Sequence, residues 1–352
     1  MLRLPFFRRT PETFGLDIGS SAVKVVQLRA SSSGPSLVAL GTAPVPRDVV
    51  VDGTIKDPPT LADTIREAVA RAGVRGKEAA IGVSGRELIV KKVQLPEVPP
   101  RELRDAVQLE AEHHIPFAIE DVFLDFQTVG RHDGTLDLIV VAAKKSKVIE
   151  YIGVVEEAGL NPVVVDVDGF ALGNQYELNH PGEAEEAVAL IDIGASVMKT
   201  NVVRGGVSIF ARDIAFGGNH YTEAIAQHLK IPAAQAEAAK LGQDVGVSWE
   251  ALVPALEAVS RELALEVQRT FDYFASTAES ERIGKIVLAG GSAQLPGLTD
   301  YLAATWGIPV ELARPFERIA VPAELADEVA ASGPALAVAV GLALRRAGDG
   351  DR

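Results

Sequence analysis

The fold is decided by one stretch, Phe14-Gly-Leu-Asp-Ile-Gly-Ser-Ser-Ala-Val-Lys-Val-Val-Gln-Leu28. It has the pattern of an apolar strand, a tight glycine turn and a second apolar strand. Asp17 comes just before the turn, and Ser20 and Ser21 come just after Gly19. Backbone N–H groups in such turns form concave anion sites, and the serine hydroxyls would add donors. The stretch therefore predicts a β-hairpin that faces a phosphate group.

The same pattern recurs as Ala189-Leu-Ile-Asp-Ile-Gly-Ala-Ser-Val-Met-Lys-Thr-Asn-Val-Val203. Both copies read D-I-G-x-S-x-x-K with identical spacing. The matching pairs are Asp17 and Asp192, Ile18 and Ile193, Gly19 and Gly194, Ser21 and Ser196, and Lys24 and Lys199. Coincidence between two buried hairpins is the alternative explanation, and duplication is favoured only if the repeat extends further.

The repeat does extend further in the order of its elements. Each hairpin is followed by a strand pattern, a turn containing glycine, a helix pattern and a short apolar strand that ends in glycine. In the first half these are 37–43, 52–53, 61–72 and 80–85, and in the second half 207–214, 217–218, 221–229 and 285–291. Alternating strands and helices indicate an α/β fold. We expect two similar lobes that face each other across a cleft.

Each half also carries an insertion. Residues 86–160 show strand patterns at 88–95, 122–129 and 136–143 and helix patterns at 102–114 and 147–158. With Val163–Val167 as a closing strand, the order β-α-β-β-α-β predicts a small α+β domain with two helices. It lacks catalytic residues of its own, so we expect it to bind a partner. The second insertion is helical, with an apolar stripe from Leu252 to Phe274 inside the region 233–277.

The predicted boundaries follow from these patterns. They are an N-terminal tail at 1–13, a first lobe at 14–85 and 161–180 with a closing helix at 333–345, the inserted domain at 86–160, a second lobe at 186–218 and 282–332, and a helical insertion at 219–281.

Composition excludes several classes of protein. The formal net charge is −14 without a long basic run, which argues against nucleic-acid binding. Cysteine is absent, so disulfides and cysteine-ligated metals are excluded. No run of about 20 apolar residues is present, and Ala335–Leu344 is better interpreted as a buried helix. The basic and apolar segment Met1–Arg9 is either a frayed tail or a weak contact with an anionic membrane surface.

Other site types do not match the sequence. Gly73–Lys77 has the wrong spacing for a P-loop, and Gly82–Gly85 is not a nucleophile elbow. His113 and His114 precede Pro116 at a predicted helix end and form no metal-ligand pattern.

Taken together, these motifs resemble a known superfamily. The two hairpins, the turn Val287-Leu-Ala-Gly-Gly-Ser292 and the helix Gly333–Gly341 are similar to the actin-like ATPases. Glu110–Phe126, with Ile115-Pro116-Phe117 at its centre, resembles the PilM family of type IV pilus assembly proteins, relatives of the FtsA division proteins. The resemblance covers about residues 14–345.

The resemblance implies a site for ATP and Mg²⁺. Asp17 and Asp192 would face Mg²⁺ through its waters, since Mg²⁺ gives up water reluctantly. Gly290, Gly291 and Ser292 match the superfamily's adenosine motif. Glu237 and Lys240 would hold adenine and ribose, although a solvated helical salt bridge explains them equally well. The implied nucleotide-binding residues are Asp17, Gly19, Ser20, Ser21, Lys24, Asp192, Gly194, Ala195, Ser196, Gly217, Gly218, Glu237, Lys240, Gly290, Gly291 and Ser292.

Two departures from the superfamily pattern predict slow hydrolysis or none. Asp168 occupies the position of a catalytic, water-positioning glutamate or glutamine and is one methylene shorter than glutamate. Ala195 replaces a hydroxyl residue in the second phosphate turn.

For function, the resemblance implies a cytoplasmic adaptor at the inner face of the inner membrane. It would bind the cytoplasmic N-terminal tail of the membrane protein PilN through Ile115, Pro116 and Phe117. Phe117 is either a core plug or a wall of that pocket. Other pilus assembly proteins, the assembly motor ATPase and self-association are further expected contacts. Two alternatives stay open: an FtsA-like filament-forming division ATPase, and a small-molecule kinase of the same fold.

Overall fold

The computed structural model describes residues 13–32, 34–182, 186–277 and 281–349. The N-terminal tail predicted at 1–13 therefore lies almost entirely outside the described residues. The strands, in chain order, are β1 (Phe14–Ile18), β2 (Ala22–Arg29), β3 (Ser36–Pro44), β4 (Val50–Val51), β5 (Thr54–Ile55), β6 (Glu78–Val83), β7 (Leu88–Pro96), β8 (Val122–His132), β9 (Thr135–Lys144), β10 (Asn161–Val167), β11 (Ala187–Ile193), β12 (Met198–Arg204), β13 (Val207–Ile214), β14 (Ile283–Ala289) and β15 (Val310–Leu312).

The helices lie between groups of these strands along the chain. In chain order they are α1 (Pro58–Ala72), α2 (Pro100–His114), α3 (Lys145–Glu157), α4 (Asp168–Asn179), α5 (Gly218–Leu229), α6 (Ala233–Lys240), α7 (Trp249–Thr277), α8 (Leu298–Trp306), α9 (Ala326–Ser332) and α10 (Ala337–Ala343).

Two five-stranded sheets confirm the predicted duplication. The first lobe has the order β3-β2-β1-β6-β10, and the second has β13-β12-β11-β14-β15. In each sheet the first three strands are antiparallel and the next two pair in parallel. The registers also agree, because Asp17 lies opposite Lys24 and Asp192 lies opposite Lys199.

Local sequence signals explain where the first helix begins and ends. The Asp57 side chain accepts hydrogen bonds from the Thr60 backbone N–H and hydroxyl, and Pro58 occupies the first turn. These are strong helix-starting features. Gly73 ends α1 in the left-handed conformation at φ 68°. The buried side of α1, including Leu61 and Ile65, packs against the first sheet.

The two lobes meet on α4, which contacts strands of both sheets. The Asn201 side chain of β12 donates to the Gly169 carbonyl of α4 at 2.6 Å. α10 lies directly on the other side of α4, where a Cβ on Gly341 would come 1.7 Å from the Ala171 carbonyl oxygen. Only glycine permits this approach, so the closing helix joins the core at the junction of the lobes.

One helical stretch in the described chain, Ala323–Ala343, is long and apolar enough to cross a membrane by composition. The folded chain interrupts it with a 3-10 turn at Gly333–Leu336. Its second part is α10, in which every residue is buried. We therefore interpret α10 as a core helix of the fold.

The inserted domain is smaller than the sequence predicts. Its sheet has the order β7-β9-β8 and packs against one helix, α2. The helix predicted at 147–158 is α3, but its Tyr151, Val154 and Val155 side chains are buried in the first-lobe core. The predicted closing strand is β10, which pairs with β6 of the first lobe. The β-α-β-β-α-β assignment was therefore wrong, and the inserted unit spans about β7 to β9.

The helical insertion is divided into separate helices. α6 ends at Lys240, and α7 begins at Trp249 after turns in which Gly242 and Gly246 have φ near 75°. The predicted apolar stripe from Leu252 to Phe274 is buried in the second-lobe core.

Candidate functional site

The turns of the two hairpins meet at the centre of the cleft. The Ser20 and Ser196 hydroxyls share a hydrogen bond between the lobes. Each turn is closed in the same way, by Gly19 N–H to the Ala22 carbonyl at 3.1 Å and by Gly194 N–H to the Val197 carbonyl at 3.2 Å. The structure thus brings the predicted phosphate-facing turns together face to face.

A lysine pairs with the carboxylate of each hairpin, and Lys199 is buried whereas Lys24 is half-buried. Lys24 Nζ lies 2.7 Å from Asp17 Oδ2, and Lys199 Nζ lies 2.8 Å from Asp192 Oδ2. Burial acts to raise the pKa of Asp17, but Lys24 and Lys199 outweigh it and hold that pKa below its usual value. Burial acts to lower the pKa of Lys199, whereas Asp192, Asp168 and Asp17 together raise it well above normal. Lys199 therefore stays charged inside the cleft.

Lys199 also joins the second lobe to Asp168 of the first. Its Nζ lies 3.3 Å from Asp168 Oδ2. Asp168 is the first residue of α4, and a Ser84 side-chain hydrogen bond helps to fix its carboxyl group. The pKa of Asp168 is raised above its usual value, mainly because the side chain is buried. The charge of Lys199 acts to lower this pKa, and the nearby Asp17 carboxylate acts to raise it. Sequence reasoning matched Lys199 to Lys24 but did not place it among the nucleotide-binding residues.

A further carboxylate in the cleft, Asp213, was missed by sequence reasoning. It lies on β13 directly opposite Lys199, and its Oδ2 accepts the Gly85 backbone N–H of the first lobe at 2.5 Å. Burial raises the pKa of Asp213 to about 6, although the Gly85 hydrogen bond and Lys199 lower it. The only signal in the sequence was an acidic residue near the end of a strand, shortly before Gly217.

The N-terminal end of α5 packs closely against the turn of the second hairpin. A Cβ on Gly217 would come 2.4 Å from the Gly194 carbonyl oxygen, so this contact requires glycine. Gly218 N–H donates to the same carbonyl at 2.9 Å, and Asn219 N–H donates to the Ala195 carbonyl at 2.8 Å. The second turn is therefore held rigidly by the helix that follows it.

The residues predicted to contact adenosine also come together. Lys240 Nζ lies 2.7 Å from Glu237 Oε2 and donates to the Gly218 carbonyl at 3.1 Å. The Ser292 hydroxyl donates to the Gly194 carbonyl at 3.4 Å. Lys240 is buried, which lowers its pKa even though Glu237 raises it. A solvated helical salt bridge does not describe this pair, because the lysine is tied into the second lobe.

The Gly290-Gly291 turn has one closed side and one open side. Gly290 has φ +89°, and a Cβ there would come 2.4 Å from the Ile193 carbonyl oxygen. At Gly291 no heavy atom lies within 4 Å of a Cβ position. A flat ring could therefore lie against the backbone at Gly291.

The donors fit a hydrated cation better than a protein cage. Among the described residues, no group of three or more histidine, aspartate or glutamate side chains is arranged to hold a metal ion directly. Asp17 and Asp192 come from opposite lobes, and each is already paired with a lysine. Such a donor set suits Mg²⁺ held by phosphate oxygens and water, its usual mode of binding.

The predicted partner segment lies at the C-terminal end of α2. Ile115 is buried in the core of the inserted domain, so its side chain anchors the turn Ile115–Phe117 to that core. Pro116 is exposed, and Phe117 is half-buried with Lys144 Nζ 4.8 Å from its ring centroid. Phe123 on the edge strand β8 is 48% exposed. Phe117 is thus the ring at this turn that is partly exposed, and Phe123 is an exposed ring on the edge strand.

Comparisons with solved structures agree with the two-lobed architecture. A structure of a PilM–PilN type IV pilus biogenesis complex matches with a TM-score of 0.84 and 32% identity, covering 95% of this chain and 98% of that one. The ethanolamine utilization protein EutJ from Carboxydothermus hydrogenoformans matches with a TM-score of 0.57 and 19% identity, covering 94% and 88% of the two chains. MreB5 of Spiroplasma citri bound to AMPPNP matches with a TM-score of 0.53 and 15% identity, covering 95% of each chain. The last two establish the actin-like fold alone.

Curated relatives include division proteins. FtsA of Streptococcus pneumoniae is 25% identical over 345 residues, covering 85% of this chain and 74% of FtsA. FtsA of Pseudomonas aeruginosa is 24% identical over 351 residues, covering 86% and 82% of the two chains.

The family model described as type IV pilus assembly protein PilM matches residues 15–347, which includes both lobes and the inserted domain. With its duplicated two-lobed actin-like fold, the chain belongs to the PilM family of type IV pilus assembly proteins.

Proposed function

We propose that this chain is an ATP-binding adaptor of type IV pilus assembly, acting in the cytoplasm at the inner face of the inner membrane. The observation that supports this proposal most strongly is the matched pair of hairpins, each with an aspartate–lysine ion pair, that meet through Ser20 and Ser196. Two such turns from opposite lobes can surround a polyphosphate from both sides. Membership of the PilM family supports the role in pilus assembly.

In this proposal each part of the cleft has a defined task. The turns at Gly19–Ser21 and Gly194–Ser196 hold phosphate oxygens, and Lys24 and Lys199 balance their charge. Asp17 and Asp192 face Mg²⁺ through its waters, and the cation would neutralise the phosphates. Glu237, Lys240 and the Gly290–Ser292 turn hold adenosine, which MreB5 bound to AMPPNP supports at the level of the fold.

Hydrolysis is proposed to be slow. Asp168 would have to position the attacking water, but its carboxyl group is held by Lys199 at 3.3 Å and by Ser84. Burial also raises its pKa, which lowers the fraction of carboxylate available as a base. The cleft is therefore better suited to holding ATP than to turning it over rapidly.

The inserted domain is proposed to bind the N-terminal tail of PilN at the turn Ile115–Phe117. The support is the 32% identical structure, which is described as a PilM–PilN complex. The half-buried Phe117 ring, with the Lys144 ammonium group over it, offers an apolar contact next to a cation. Binding of this kind would bring the adaptor to the membrane through its partner.

A co-purification experiment tests the adaptor role. The tagged chain is used to capture proteins from detergent-solubilised membranes of the source cell, with and without Mg-ATP. Recovery of PilN, reduced by a Phe117→Ala substitution, is the expected result. Recovery of division proteins in place of PilN would favour the FtsA-like alternative, which the FtsA relatives support.

A further inference from the structure

The loop that follows β3 packs against the turn of the first hairpin. Val45 N–H donates to the Ser21 carbonyl at 2.9 Å, so the loop leaves the sheet beside the proposed phosphate site. The Val45 and Val49 side chains are buried in the first-lobe core. Residues 45–49, called the β3 loop below, are therefore fixed at both ends, and Val45 lies next to the turn.

The second lobe holds its corresponding loop in the same way. Gly218 N–H, in the segment that follows β13, donates to the Gly194 carbonyl of the second hairpin at 2.9 Å. The resemblance to the actin-like ATPases implies that Gly217 and Gly218 bind nucleotide. Because the two sheets have matching strand orders, the β3 loop occupies the equivalent position on the first lobe.

A tight turn exposes Arg47 in the β3 loop. Val49 N–H donates to the Pro46 carbonyl at 3.4 Å, which closes these four residues into a β-turn. Asp48, the third residue of the turn, has φ +67°, a left-handed conformation that is uncommon for residues other than glycine. Backbone conformations of this kind cost free energy and cluster at ligand-binding sites. Arg47, the second residue of the turn, is exposed.

Lys240 of the second lobe is held next to the other turn. Its Nζ donates to the Gly218 carbonyl at 3.1 Å, and Gly218 is itself hydrogen-bonded to the second hairpin. The two turns meet through the Ser20 and Ser196 hydroxyls. Arg47 and Lys240 therefore approach the same part of the cleft from opposite lobes.

The two cations act on each other across the cleft. Burial lowers the pKa of Lys240, Glu237 raises it, and the positive charge of Arg47 acts to lower it further. Glu237 Oε2 is already paired with Lys240 Nζ at 2.7 Å. In the part of the chain that the structure describes, the Arg47 side chain forms no ion pair or hydrogen bond. Two like charges repel each other, so an anion placed between them would be stabilised by both.

We propose that Arg47 is a nucleotide-binding residue of the first lobe, and that its guanidinium group binds the phosphate chain of ATP from the side opposite Lys240. The inference rests on the proposed binding of ATP in the cleft. A guanidinium group suits this task because its planar set of N–H donors can bind two phosphate oxygens at once, whereas a lysine ammonium group acts as a point charge. The phosphate chain would be the anion that both cations share.

Salt dependence separates a phosphate contact from a contact with the base. Arg47 is exposed, so its attraction for a charged phosphate group should be screened at high ionic strength. A guanidinium group lying on the adenine ring would depend less on salt, because the base carries no net charge.

The test is a calorimetric titration of the full chain with a non-hydrolysable ATP analogue plus Mg²⁺, at low and at high ionic strength. Arg47→Ala should weaken binding about 10-fold or more at low ionic strength, as expected for loss of a charge-assisted hydrogen bond, and clearly less at high ionic strength. Arg47→Lys should lose part of the affinity, because it keeps the charge but not the planar fork. Both variants should keep the wild-type melting temperature, since the side chain is exposed.

Arg75→Ala is the matched control. Arg75 is an exposed arginine just before the N-terminal end of β6, whereas the hairpin turn follows the C-terminal end of β1, which runs parallel to β6. Arg75 therefore lies at the opposite edge of the first sheet, and its removal should leave binding unchanged.

Two results would overturn the assignment of Arg47. One is an affinity of Arg47→Ala equal to that of Arg75→Ala, and the other is a loss of affinity that is the same at both ionic strengths. Failure of the wild type to bind the analogue would instead contradict the proposed binding of ATP, on which this inference rests.

Discussion

Ser20 and Ser196 lie in equivalent turns of the two lobes and share a hydrogen bond across the cleft. This contact places the ends of both hairpins around a single point, as a polyphosphate site requires. In each hairpin a lysine lies directly opposite the aspartate on the neighbouring strand. The two hairpins therefore have the same pair of charges as well as the same backbone shape.

The first prediction concerns phosphate charge. Lys24→Ala should reduce the rise in melting temperature produced by Mg-ATP, because the first hairpin loses its cation. A ligand at 100 times its Kd stabilises a native protein by about 2.7 kcal/mol, which is readily measured by thermal denaturation. Lys77→Ala, at an exposed lysine, serves as the control and should keep the full shift. An unchanged shift in Lys24→Ala would remove Lys24 from the site.

The second prediction separates the two glycines of the adenosine turn. Gly291→Ala should fold normally but bind ATP more weakly, because its methyl group would enter open space where the ring is expected. Gly290→Ala should lose more than about 1 kcal/mol of stability, because alanine is strained at φ +89°. Urea denaturation and ATP titration of both variants check this. Normal ATP binding by Gly291→Ala would place adenosine elsewhere.

The third prediction concerns turnover. Phosphate release by the isolated chain should be far below the roughly 10 s⁻¹ typical of enzymes. The reason is that Lys199 and Ser84 hold the short Asp168 side chain. A coupled phosphate assay on the wild type and Asp168→Asn measures it. Rapid phosphate release that disappears in Asp168→Asn would contradict slow hydrolysis and would indicate that ATP turnover is a main activity of this chain.

The fourth prediction concerns pH. Burial raises the pKa of Asp213 from the ordinary 3.8 to about 6, so between these values the folded state binds more protons than the unfolded state. Its contribution to the free energy of unfolding should therefore fall as pH rises from about 4 to about 6. The charged groups around it are Lys199, Asp168 and Asp192, and Asp213→Asn leaves all of them in place. Urea midpoints of both proteins across this range give the difference, and a difference that does not change with pH would contradict the assignment.

The hairpins and the duplication were predictable from the sequence because their signals are local. The motif D-I-G-x-S-x-x-K specifies strand, turn and strand within eight residues. The apolar stripe of α7 was equally clear, since helical periodicity marks a buried face whatever it packs against.

The errors came from contacts between distant parts of the chain. The pattern of α3 showed a buried face with Tyr151 and Val154, but it could not show that the first lobe covers that face. Val163–Val167 was recognised as a strand, but its pairing with β6 depends on residues far away in the chain, such as Ala80 opposite Val164. Asp213 was missed because its importance lies in a contact with Gly85 of the other lobe.

The adaptor role is tested most directly by binding of a PilN N-terminal peptide to the purified full chain. Phe117→Ala is the informative variant, and Phe123→Ala, which removes an exposed neighbouring ring, is the matched control. Because Phe117 is only half-buried, its truncation should cost less stability than the roughly 3–5 kcal/mol of a core phenylalanine.

The measurement is a calorimetric titration of the three proteins, with their melting temperatures recorded alongside. The wild type should bind the peptide saturably, and Phe117→Ala should stay folded while losing about 2 kcal/mol or more of binding free energy. Phe123→Ala should bind nearly as the wild type does. Absence of binding by the folded wild-type chain, or unchanged binding by a stable Phe117→Ala, would contradict this account of the partner site.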